Sequence, residues 1–193
     1  MTIIIDAGHG SFYNGKYYTD KKLGKFYSFP EFTFYEGVSN RTIADLLVKK
    51  LKSAGINTIT TYHEYLDWSL YERVKIANQV QGDSFFVSIH SNAGGGSGFE
   101  VYTTTGHTKS DEYAQIISSN LIADFPNWQL RKDVLDGDLD KEKDFYVLKH
   151  TKMPSVLLEL LFFDEIKQAK YLNSLSGQQN IVNSIFKSIK QIV

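Results

Sequence analysis

The sequence predicts one α/β domain over residues 1–193, a three-layer sandwich built on a mainly parallel, twisted sheet with helices on both faces. Two observations predict it. Short apolar, β-branched runs alternate with segments of helical spacing along the whole chain, the pattern of strands joined by helical crossovers. A hydrophobic content of 42% over 193 residues also suits one sizeable core rather than two, and no repeat or linker divides the chain.

Taken in order, Ile3-Ile4-Ile5 reads as a buried strand that opens into the glycine-rich turn Ala7-Gly8-His9-Gly10. Residues 11 to 35 are aromatic and aperiodic, and are expected to form a long irregular loop, which in a compact domain is usually functional. From Val38 to Ala54 the apolar Ile43, Leu46, Leu47, Val48 and Leu51 follow helical spacing, and Gly55 ends the run. Residues 56 to 62 read as a strand, and Leu70 to Gln79 as a helix. A second buried strand spans Ser84 to His90, another Phe99 to Thr103, and a helix is expected from Asp111 to Phe125. Asn127 to Asp144 is polar, contains Asp-Gly and reads as loop. Phe145 to Leu148 and Ser155 to Leu160 read as strands. Two helices should complete the chain from Asp164 to Val193, with Ile181, Ile185, Ile189 and Ile192 on one stripe.

The charge balance narrows the function classes. With 21 basic and 22 acidic residues, the chain offers no electrostatic case for binding nucleic acid or an anionic membrane. Basic pairs such as Lys21-Lys22 and Lys49-Lys50 read as solvated faces. Without cysteine there is neither a disulfide framework nor a thiolate metal site. No apolar run is long enough to span a membrane. If Met1 is the native start, the chain is made without an export signal of its own, as in a protein released through a host membrane; a trimmed secreted domain would read the same way. A monomer is expected.

Four polar residues stand where apolar strands or helices end. His9 ends the first strand, Glu36 precedes the first helix, and His90 ends the strand Phe85 to His90. Glu159 interrupts the apolar run Val156 to Leu161. Ligand sites in open α/β sheets gather at the carboxyl ends of strands, so residues distant in sequence can converge there. Two His and one Glu match the three protein ligands of a catalytic zinc site with its fourth position open. Glu159, set among apolar neighbours, should have a raised pKa suited to general acid/base work. Each residue also has a plain reading: a hydrogen-bonding loop histidine, a first-turn helix acid, or a buried Glu paired to a partner. The residues as a set point to a metal hydrolase and do not name its substrate.

Those residues lie in segments that resemble family 3 N-acetylmuramoyl-L-alanine amidases, zinc enzymes of bacterial cell-wall turnover and phage lysis. Ile4-Ile5-Asp6-Ala7-Gly8-His9-Gly10 is similar to the family's opening strand and first zinc histidine. Glu36-Gly37-Val38-Ser39-Asn40 is similar to its zinc glutamate and the helix that follows. Ser69-Leu70-Tyr71-Glu72-Arg73-Val74 looks like its second helix, and Val87-Ser88-Ile89-His90-Ser91-Asn92-Ala93 like its second zinc histidine motif. Met153-Pro154-Ser155-Val156-Leu157-Leu158-Glu159 resembles the segment with the catalytic glutamate.

The resemblance implies Zn2+ as cofactor, held by His9, Glu36 and His90, with Glu159 as general base and then acid. It implies peptidoglycan as the partner, cut between N-acetylmuramic acid and L-alanine at the bacterial wall, by an endolysin or an autolysin. Asn92 is implied as a support for substrate or the metal shell, with a turn role as the alternative. The family's Arg-Gly before the catalytic strand appears here as Arg131-Lys132, followed by the acidic stretch Asp133 to Asp144, which makes Arg131 a candidate substrate contact. Glu31 competes with Glu36 but lacks its Glu-Gly-Val-Ser-Asn context. His63, His107 and His150 match no ligand position and are expected in surface or loop roles. Two other readings stand beside this one: a zinc peptidase cutting the stem peptide, and an inactive wall-binding module of the same fold.

Overall fold

The structure is a computed structural model that describes residues 1–19, 24–133 and 137–193. Strand β1 (Thr2–Ala7) leads into two hairpins, β2 (Phe12–Tyr13) with β3 (Lys16–Tyr17) and β4 (Phe26–Ser28) with β5 (Thr33–Tyr35). Helix α1 (Glu36–Ser53), β6 (Thr58–Thr60), α2 (Leu70–Ala77) and β7 (Ser84–Asn92) follow. Then come β8 (Phe99–Thr103), α3 (Lys109–Asp124), β9 (Lys141–Glu142) and the short α4 (Tyr146–Lys149). Strand β10 (Ser155–Phe162), α5 (Ile166–Asn173) and α6 (Leu175–Ile192) complete the chain.

Six strands form the central sheet in the order β6-β1-β7-β10-β8-β9. All neighbours run parallel except β10 and β8. Strand alternation sorts the side chains into two cores. Ile3, Ile5, Phe85, Val87, Ile89, Val156 and Leu158 face one side, where α1, α3 and α6 supply Leu47, Ile117, Ile181 and Ile185. Ile4, Phe86 and Leu157 face the other, against Val74 and Ala77 of α2 and Val147 and Leu148 of α4. Helices therefore cover both faces of a mainly parallel sheet, as the sequence predicts.

Two expectations are corrected. Tyr146–Lys149, expected within a strand, forms a helical turn. It lies on the thinner face, where Val147 and Leu148 reach the core from successive positions, which a strand's alternation would not allow. The 11–35 segment, expected to be irregular, is largely two hairpins among its described residues. Its aromatic rings hold them together: Phe12 lies 5.2 Å from Tyr17 and 4.7 Å from Tyr35, centroid to centroid. Within the loop expected from Asn127 to Asp144, Leu130 bridges Phe99 and Lys141–Glu142 adds a sixth strand. The Lys21-Lys22 pair and part of the Asp133 to Asp144 stretch lie outside the described residues.

Leu158 is fully buried between sheet neighbours in the larger core. Leu158→Ala should therefore destabilise the fold by about 2–5 kcal/mol, read as a lower urea midpoint at unchanged m-value.

Candidate metal centre and active site

The same alternation that fills the smaller core carries a row of polar side chains at the carboxyl ends of its strands. Beyond Ile4, Phe86 and Leu157 come Asp6 on β1, Ser88 and His90 on β7, and Glu159 on β10. Glu159 stands opposite His90 in the parallel register of β7 and β10, and opposite Glu100 in the antiparallel register of β10 and β8. Immediately after Glu159 the register shifts, and Leu161 takes a left-handed φ of 63°. Such a bulge bends the strand where the site begins.

His9 leaves β1 with a φ of 64°, which turns its side chain back toward His90. The two rings meet edge to face at 5.1 Å. Gly8 permits that approach, because a Cβ there would lie 2.1 Å from His90 Cε1. Glu36 enters from the first turn of α1, fully buried. Its Oε1 lies 3.4 Å from His9 Nε2 and 3.2 Å from His90 Nδ1. Burial alone would raise the Glu36 carboxyl, but the two imidazoles beside it outweigh burial and hold the group well below the usual carboxylate range.

The start of α1 is held by tertiary contacts. Tyr35 gives it no side-chain cap. The Tyr17 hydroxyl accepts from Gly37 N at 3.0 Å and donates to the Lys25 carbonyl at 3.2 Å, tying the aromatic hairpins to this helix end. Asn40 donates to Glu36 Oε1 and to the Gly8 carbonyl, both at 3.3 Å, and accepts from Ser91 Oγ at 3.2 Å.

His9, Glu36 and His90 each offer a donor atom, and these atoms all lie within 4.8 Å of one another. His9 Nε2 is buried without a hydrogen-bond partner, which a bound cation would remedy, while Glu36 Oε2 lies 3.5 Å from Lys25 Nζ. The 3.2–3.4 Å spacings match the roughly 3.3 Å between ligand atoms in a tetrahedron about 2.0–2.1 Å from zinc. The residues therefore fit a zinc ion. Beside them, burial pushes the Glu159 carboxyl up to about 7; His90 opposes the shift and Glu36 adds to it. Its Oε2 is also buried without a partner. A cleft of about 1000 Å³ opens over His9 and His90, lined also by Tyr17, Tyr18, Lys25 and Trp68 among others.

Glu31 is not in this group: it is exposed and pairs with Lys170 at 3.7 Å. His63 accepts from the Tyr65 and Leu66 amides in a loop, His107 is exposed, and His150 stacks on Tyr146. Asn92 and Arg131 meet Glu100 rather than His9, Glu36 or His90. Asn92 Nδ2 donates to Glu100 Oε2 at 2.7 Å, and Arg131 Nε to Oε1 at 2.8 Å. Lys141 Nζ and the Tyr102 hydroxyl also donate to it. Burial alone would raise Glu100, yet Lys141 and Arg131 hold it ionised, below its ordinary value.

Glu100 went unnoticed in the sequence, although alternation in Phe99-Glu100-Val101-Tyr102 puts it on the polar face. A second overlooked group is the buried pair of Asp6 and Arg73, at 2.8 Å. Arg73 also donates to Asp67, to the Trp68 carbonyl and to the carbonyls of Ala7 and His9. Thr61 and Ser88 complete the Asp6 carboxylate.

Comparison with known proteins decides the family. The N-acetylmuramoyl-L-alanine amidase family model matches residues 3–191. The chain belongs to that family. The amidase is 29% identical to the sporulation-specific N-acetylmuramoyl-L-alanine amidase of Bacillus subtilis, over 99% of this chain and 68% of that protein. It is 27% identical to the endolysin of Bacillus phage SPP1, over 98% of this chain and 65% of that protein. The chain thus spans about two thirds of each of these relatives. Among solved structures, the N-acetylmuramoyl-L-alanine amidase of Clostridium difficile 630 superposes with a TM-score of 0.78 at 25% identity, covering 98% of this chain and 95% of the other. Membership makes the chain a hydrolase. Among the described residues no helix is long and apolar enough to cross a membrane.

Removing the guanidinium would strand a buried carboxylate and release the His9 carbonyl. Arg73→Ala is therefore expected to cost about 3–5 kcal/mol, measured by denaturant unfolding.

Proposed function

We propose that this amidase is zinc-dependent and hydrolyses the amide between the lactyl group of N-acetylmuramic acid and L-alanine in bacterial peptidoglycan. One observation carries the reading: His9, Glu36 and His90 present converging donor atoms beside Glu159, which stands in register with His90. The names of the relatives support the substrate. The bacterial wall is the proposed site of action.

His9, Glu36 and His90 would hold the ion, and Asn40, Ser91 and Arg73 keep those ligands in place. When bound, zinc supplies Lewis acidity to the amide carbonyl and to water. Glu159, with a pKa near 7, can accept a proton from the attacking water and return it to the departing L-alanine nitrogen. That exchange avoids expelling an amide anion and leaves the glycan and an intact stem peptide as products. Asn92 and Arg131, braced by Glu100, are assigned to substrate positioning.

Mass spectrometry of digested peptidoglycan should show stem peptides with a free L-alanine amine, and none after treatment with a chelator. Fragments cut within the stem peptide would instead identify a peptidase. Glu159→Gln should retain one zinc per chain while kcat falls by about a hundredfold or more; wild-type wall lysis by that variant would refute its role. His90→Ala should lose the metal by elemental analysis, and full occupancy would reject the ligand set.

A further inference from the structure

A second polar cluster lies away from the His9–Glu36–His90 centre, where β8 ends. Thr103 is fully buried there, and its hydroxyl has one proton and three acceptors around it. Asp140 Oδ2 lies at 2.6 Å, Asp111 Oδ1 at 3.2 Å and the Thr104 carbonyl at 3.5 Å. Asp140 has no exposed surface, and its Oδ1 is buried with no hydrogen-bond partner. Among the described residues, no lysine, arginine or histidine pairs with Asp111 or Asp140. Lys141, the immediate neighbour, turns away to Glu100.

Asp138 adds a third carboxylate. One oxygen from each of Asp111, Asp138 and Asp140 lies within 4.8 Å of the others. Burial, with help from Asp138 and Asp111, raises the Asp140 carboxyl to about 6. Asp140 thus holds its carboxyl in a dry place where no described lysine, arginine or histidine pairs with it. Asp111 is held there independently of the cluster, because its Oδ2 closes the capping box of α3 with Thr108.

We propose that Asp111, Asp138 and Asp140, with the Thr103 hydroxyl, form a structural site for a calcium ion. All the donors are hard oxygens, which select calcium or magnesium over zinc. Calcium tolerates irregular oxygen shells at about 2.3–2.6 Å, whereas magnesium demands a near-ideal octahedron at about 2.0–2.1 Å. Three carboxylates and a hydroxyl brought together by separate elements suit the former.

The ion would pin the segment carrying Asp138 and Asp140 to the end of β8 and to the start of α3. That segment runs directly into β9, whose Lys141 donates to Glu100. Calcium would thus brace the sheet edge that carries the Glu100 cluster, at a distance from the hydrolytic centre.

The test uses the full chain, freed of calcium and then saturated with zinc so that the histidine site is filled. Calorimetric titration with Ca2+ should show one further equivalent bound. Tm should rise by about 3 °C or more at ten times Kd. Asp138→Asn and Asp140→Asn should each abolish or strongly weaken that response. Without calcium, Asp140→Asn should melt at or above the wild-type temperature, because it relieves repulsion among carboxylates; a carboxylate with a merely structural role would lower it. The proposal is overturned if wild type shows neither binding heat nor a Tm change at about 10 mM Ca2+, well above the weakest affinities of calcium modules. A response to Mg2+ alone would also overturn it. If either variant fails to fold, the wild-type titration still decides.

Discussion

The site hangs on a buried ion pair. Asp6 and Arg73 are both almost fully enclosed, and charges so placed survive only when every donor and acceptor is used. Asp6 accepts from Arg73, Thr61 and Ser88. These residues come from α2, the end of β6 and β7, so one carboxylate ties three elements to the end of β1. The remaining Arg73 hydrogens reach the Ala7 and His9 carbonyls, Asp67 and the Trp68 carbonyl. The backbone that turns His9 toward His90 is therefore held by the same guanidinium that neutralises the β1 carboxylate. Losing it would release the His9 backbone and expose the sheet's polar row to an unpaired charge.

Along that row, neighbouring carboxylates reach different protonation states because their partners differ. Glu36 has two imidazoles and stays ionised despite full burial. Glu100 has an arginine and a lysine and does the same. Glu159 sits between His90 and Glu100 in the sheet, lacks a direct cation, and its carboxyl rises to about 7. This contrast is what a hydrolytic centre needs: a permanently charged carboxylate beside a group that can exchange a proton near neutral pH. Asn92 and Arg131 are both held by Glu100, so their positions depend on a residue outside the His9–Glu36–His90 group.

Much of this was legible from residue order. Continuous apolar runs in Ile3 to Ala7, Phe85 to His90 and Val156 to Leu160 place buried strands, and residues at their ends become site candidates. Motif context separated Glu36 from Glu31, and the structure puts the latter in an exposed pair with Lys170. The short apolar run at Phe145 to Leu148 was ambiguous, because four apolar residues carry no decisive period. The aromatic segment shows no period in sequence because its hairpins are only two or three residues per strand and are held by ring contacts, not by alternation.

By itself, the sequence determined the layer order, the two faces of the sheet and the motifs that bear His9, Glu36, His90 and Glu159. These follow from local periodicity and from residue types that only certain positions tolerate. The tertiary structure decided which polar groups meet. Asp6 finds Arg73 across 67 positions, Glu100 gathers Arg131 and Lys141 across 31 and 41, and Asp140 finds Thr103 across 37. Such pairings depend on strand order, crossover geometry and the positions of loops, and no local pattern encodes them. The charge state of each buried carboxylate follows from those pairings, because a protonation equilibrium in a dry interior is set by the neighbours it meets in space.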